Sequence, residues 1–168
     1  MEPAGHGPLA QTGLRDCARD VASIRVPQAF WYLLVADLLL RLGGYTRFKR
    51  FLGRPSTQRA PASDAYTIAL AAHDAVGLAS AWYFHSARCL QRAAAAALVL
   101  KARGVASVLV IGVRTMPFGG HAWLEIDGRV VAEDRWTLEP YVVLERIAVV
   151  TGSECRDDGT VGDVVGRR

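Results

Sequence analysis

Five consecutive alanines, residues 93–97, constrain this chain more than any other feature. Alanine is the best helix former, and a helix built from it is slim enough for neighbours to approach closely. The run sits inside a helical segment 87–103 that stops at Gly104, a good C-terminal cap. So slim a helix is predicted to be central.

After Gly104 the period changes. Residues 107–113 (SVLVIGV) are β-branched and read as a buried strand. Residues 121–126 (HAWLEI) form the next strand, and Asp127-Gly128 is a strong hairpin signal. Residues 129–134 return as the partner strand, and 141–150 add a short strand or helix. Ahead of the alanines, 18–27 read as a short strand or an extended arm ending at Pro27. An apolar helix follows over 28–42, stopped by Gly43-Gly44, and then a shorter basic helix over 45–52. Ser63 can cap a helix over 64–80, in which Ile68, Ala71, Ala72, Ala75 and Leu78 or Ala79 recur at helical spacing. Helices first and an antiparallel sheet after make an α+β layout.

A length of 168 residues fits one domain with a real core. Residues 1–16 read as a disordered N-terminus, 17–62 as a helical region and linker, 63–150 as the core, and 151–168 as a flexible tail. The net charge of +4 is spread along the chain, and no aromatic–basic RNA motif accompanies it, so no nucleic-acid partner is expected. The most apolar stretch, 29–42, has about 14 residues where crossing a bilayer takes roughly 20, and Asp37 interrupts it. No transmembrane segment is predicted. A buried helix, a docking face for a partner protein and attachment at a membrane surface are its three readings, the last kept open by Arg47, Lys49 and Arg50.

Cys17, Cys89 and Cys155 are widely spaced, with no CxxC pair, so neither a zinc ribbon nor a redox motif is legible. No metal or cofactor is expected. The odd count and the absence of a secretory signal argue for a reducing, cytoplasmic compartment.

A thiol is a good nucleophile only as thiolate. A helix N-terminus and a nearby imidazole both favour the anion. Cys89 meets the first condition: with Ser86 as N-cap it falls in the first turn of the alanine-rich helix. The unpaired N–H groups there can also stabilise an oxyanion. Cys17 and Cys155 have no strong helix after them, and a free cysteine is otherwise a small buried hydrophobe. His121 opens a strand directly after Pro117-Phe118-Gly119-Gly120, where glycines let another backbone approach. His85, four residues before Cys89, competes as base; His73 has no such context.

A base histidine needs a third group to fix its tautomer. A two-residue turn at Asp127-Gly128 sets His121 opposite Asp134, whereas a three-residue loop with a bulge sets it opposite Glu133. Glu125 shares the His121 face by alternation, but farther along. Tyr83 or Gln91 could supply a side-chain donor to the oxyanion. Trp123 and Trp136 either line a peptide groove or belong to the core.

The strings SARCLQRAAAAALVLKARGVASVLVIGV and PFGGHAWLEIDGRVV resemble the leader peptidases of lasso-peptide biosynthesis, the B2 proteins or B-protein C-terminal domains. The likeness lies in a Cys-Leu at a helix start, a helix exit at Gly-Val, a strand ending in Gly-Val, and a His-Ala-Trp strand before Asp-Gly. It covers roughly residues 80–145. It implies a transglutaminase-like, papain-like fold and a Cys-His-Asp triad, with Cys89 as nucleophile and His121 as base. An ungapped count lands on Glu133 where the family commonly has Asp, with Asp134 adjacent. The resemblance implies cleavage of the leader from a ribosomally made precursor peptide. A B1 leader-recognition protein would present the precursor, and a lasso cyclase would take the product. Helix 29–42 is then the candidate dock for B1 or leader. The same triad would serve a transglutaminase-like acyl transferase, told apart by product mass. An inactive peptide-presenting module is the other alternative, told apart by Cys89→Ala.

Overall fold

The computed structural model describes residues 24–55, 64–83 and 87–149. The two predicted tails, most of the linker, Cys17, Ser63, His85, Ser86 and Cys155 lie outside them.

Helix α1 (Val26–Leu38) begins with Pro27 in its first turn, where the missing N–H is not needed. Ala29, Leu33, Ala36 and Asp37 recur at helical spacing and form its buried face. A wider π turn (Leu39–Gly43) continues it, and α2 (Gly44–Leu52) follows after Gly44 breaks the run at φ 69°. Counted together, the helical pieces span Val26–Leu52, longer than the apolar stretch 29–42 alone. By length and composition only, the combined stretch could cross a membrane. The buried faces of α1 and α2, including fully buried Leu33, Phe48 and Leu52, belong to the protein core. Each of those side chains contributes about 1.5–3 kcal/mol by burial.

Helix α3 (Ala65–Ala81) is capped by Asp64, whose carboxylate accepts from the Tyr66 and Thr67 N–H groups. Ile68, Ala72, Ala75 and Ala79 are buried as predicted, whereas Leu78 is exposed. Helix α4 (Cys89–Ala102) is buried on every side from Ala93 to Lys101. It packs between α1 and α3 on one side and the sheet on the other, the central place its alanines foretold. Lys101 donates from within the core to the carbonyls of Leu52 and Arg54, tying the end of α2 to α4.

The sheet is antiparallel throughout, in the order β3-β2-β1-β4, with β1 Ser107–Arg114, β2 Gly119–Ile126, β3 Arg129–Val130 and β4 Val142–Val149. Leu109, Ala122, Leu124 and Ile126 join the core with α4. Strand β3 holds two residues where six were predicted, and a four-residue helix, α5 (Arg135–Leu138), intervenes before β4.

Candidate active site

Cys89 is the first residue of α4, and Arg88 is its N-cap. The first helical bond runs from Arg92 N–H to the Arg88 carbonyl. The N–H groups of Cys89, Leu90 and Gln91 therefore have no acceptor within the helix, and the positive end of its dipole faces the thiol. The thiol is half-buried. Its Sγ lies 3.8 Å from the carbonyl oxygen of Gly120, the residue before His121 on β2.

His121 and Glu133 are in contact. Both carboxylate oxygens of Glu133 sit at His121 Nε2, at 2.8 and 2.9 Å. With Nε2–H donated to the carboxylate, the neutral ring carries its lone pair on Nδ1, the nitrogen left for an incoming proton. The ring is held on two more sides, stacked on Trp123 with centroids 6.1 Å apart and tilted against Tyr141 at 5.4 Å. Cys89, His121 and Glu133 line one narrow cleft together with His73, Arg92, Trp123 and the apolar floor of Ala93, Ala96, Leu124 and Val131.

The hairpin explains why Glu133 meets His121. Asp127 and Gly128 both have positive φ, so the turn is of the two-residue kind, with Ile126 opposite Arg129 and Glu125 opposite Val130. That register, continued as a ladder, would bring Asp134 to His121. The ladder does not continue. Ala132 has a φ of 57°, the chain bends away after Val131, and Glu133 swings in. Asp134 is exposed, and its carbonyl accepts from Thr137 N–H at the start of α5.

A close packing arrangement backs the ring stack. Gly112 on β1 pairs with His121, and a Cβ there would stand 2.9 Å from the Trp123 ring and 3.2 Å from Tyr141. Only glycine lets Trp123 lie across the strand.

The family model for the transglutaminase-like superfamily matches residues 30–146, more than two thirds of the chain. The chain belongs to the transglutaminase-like superfamily. The match begins on α1 and ends on β4, so it spans the helices and the sheet that build the cleft. The chain is also 44% identical over 43 residues to the Microcin J25-processing protein McjB of Escherichia coli, a stretch covering 26% of this chain and 21% of that protein. It therefore spans about a fifth of the length of the curated relative it matches. No solved structure matches it.

Within this transglutaminase-like cleft the remaining sequence candidates separate. Trp123 is almost wholly buried on the His121 face of β2, outside the core that Ala122 and Leu124 join; its indole N–H donates to Glu125 at 3.1 Å, and it borders the cleft. Glu125 also accepts from Arg146, away from His121. Trp136 is exposed and borders a separate pocket with Leu138, Glu139 and Tyr141. Tyr83 and Gln91 are not oriented as oxyanion donors: both donate to the buried carboxylate of Asp37. Asp37, Arg92 and Tyr141 were missed from sequence. Of these only Asp37 carried a signal, as the lone acid in an apolar helix.

Proposed function

We propose that this chain is a cysteine peptidase that removes the leader from a ribosomally made lasso-peptide precursor, working with a B1 leader-recognition partner. One juxtaposition carries the chemistry: a thiol at the N-terminus of a buried helix shares a cleft with a histidine whose Nε2 is held by a carboxylate. The substrate class is supported by the similarity to a Microcin J25-processing protein and by the motif resemblance.

In this reading His121 Nδ1 takes the thiol proton as Cys89 Sγ attacks the carbonyl carbon at the leader–core junction. The oxyanion forms against the Cys89 N–H at the helix start. Nδ1–H then protonates the departing amine, the C–N bond breaks, and the leader remains on Sγ as a thioester. Water gives its proton to Nδ1 as it attacks the thioester carbon; the C–S bond breaks, the leader leaves as a free acid, and Nδ1–H returns the proton to Sγ. Glu133 keeps the ring in its productive tautomer. The core peptide leaves with a new amine, the group a separate cyclase would consume. The thiol stays reduced in the cytoplasm, where the reading sets the reaction.

The deciding experiment mixes precursor, partner and enzyme and weighs the products. Wild type yields a free-acid leader, and Cys89→Ala yields none. Processing by Cys89→Ala sinks the reading. A leader transferred to an added amine makes the chain an acyl transferase instead.

A further inference from the structure

One buried carboxylate ties three helical segments together where the chain delivers Cys89. Asp37 on α1 is 6% exposed. Its Oδ1 accepts from the Gln91 amide and from Arg41 Nε, the latter at 2.8 Å, and its Oδ2 accepts from the Tyr83 hydroxyl at 3.1 Å. Gln91 completes the link. It is the third residue of α4, and its Oε1 accepts from the backbone N–H of Arg88 at 2.7 Å, the peptide neighbour of Cys89. Tyr83 stands at the other end of the connection from α3. The segment that carries the thiol into the site is thus fastened to Asp37 at both ends.

Simple stability does not require such a device. Burial raises the carboxyl of Asp37, and the donors from Gln91, Arg41 and Tyr83 outweigh that and hold it below its ordinary range. Well-packed apolar side chains would stabilise the same place equally well. What the hydrogen bonds add is direction.

We propose that Asp37 is a positioning residue: through Gln91 and Tyr83 it sets the start of α4 so that Cys89 faces His121. The inference rests on the Cys89–His121 reading above. A displacement of about 1 Å at a reacting atom can cost roughly a hundredfold in rate, and the Asp37–Gln91–Arg88 chain ends at the backbone N–H of the residue just before the nucleophile.

The test follows the thiolate absorbance of Cys89 against pH in the full chain carrying Cys17→Ser and Cys155→Ser. Around that thiol stand His121, His73, Arg92 and Glu133. Removing the negative charge of Asp37 acts through space to move the titration to lower pH. Loss of positioning uncouples the thiol from His121 and moves it to higher pH. Asp37→Asn and Gln91→Met are both expected to move it up and to lower kcat about tenfold or more, with KM little changed. Gln91→Met alters no charge and sits at the half-exposed helix start, so it decides the matter if Asp37→Asn does not fold. A titration that stays in place or falls in a variant with native circular dichroism overturns the proposal. His121→Ala separates the two readings: if it leaves the Cys89 titration unmoved, the Cys89–His121 pair itself fails, whatever Asp37 does.

Discussion

Glutamate reaches His121 from a bend, and that geometry sets what its loss should do. Glu133→Gln keeps the shape and removes the charge that steadies the ring. We expect kcat to fall by a factor of about 10²–10⁴ with KM nearly constant, while Asp134→Asn stays near wild type. Steady-state kinetics on a precursor peptide check both. Gly112→Ala is the packing counterpart. Its Cβ would press on the Trp123 ring at 2.9 Å, so unfolding in urea should show a loss of about 1–3 kcal/mol. At this scale the places of Cys89 at a helix start and of His121 on a strand entered through Gly-Gly were legible from their local strings. The carboxylate partner of His121 was not, because counting residues across a hairpin assumes a ladder, and a single positive φ at Ala132 ends it. Tyr83 and Gln91 were misassigned for a related reason. Their acceptor lies 46 and 54 residues away in sequence, and no local pattern shows it.

Among the elements, α1 divides into two faces. The inner one packs on α3 and α4. The outer one, continued by the π turn, leaves Trp31, Leu38 and Leu42 exposed at 61%, 54% and 75%. In the peptidase reading that outer stripe receives the B1 partner. Leu38→Glu combined with Leu42→Glu should weaken partner binding and slow partner-dependent cleavage, leaving the fold intact. Calorimetric titration with the partner measures the first effect, and unchanged affinity removes the assignment. Among the described residues, helical spacing, the alanine run and the helix-ending glycines located every helix of nine or more residues to within a few residues, and the β-branched run and the Asp-Gly turn signal located β1 and β2. These signals failed on the two short pieces. Strand β3 is cut off by the bend, and the four residues of α5 are too few to show a period.

The whole molecule joins a helical layer to a sheet through α4, and its stability should respond to acid. Burial would raise Asp37, yet its donors win and its carboxyl titrates below the unfolded value in the folded chain. Asp64, held down by Thr67, and Glu145, held down by Lys49 and Tyr45, move the same way at the surface. A carboxyl lowered by folding adds stability above its unfolded value of about 4 and loses it as pH falls through the folded one. Stability against urea should therefore fall progressively below about pH 4, and Asp37→Asn should flatten that slope.

The His121–Glu133 contact spans 12 residues and lies within one hairpin and its return, whereas Cys89 arrives on a helix from the other layer. The cleft is thus assembled from two prefabricated halves. A substitution in the seam between α4 and β2 can part the halves while each keeps its own internal order. Damage of that kind would pass every local test of folding and register only where the layers must meet.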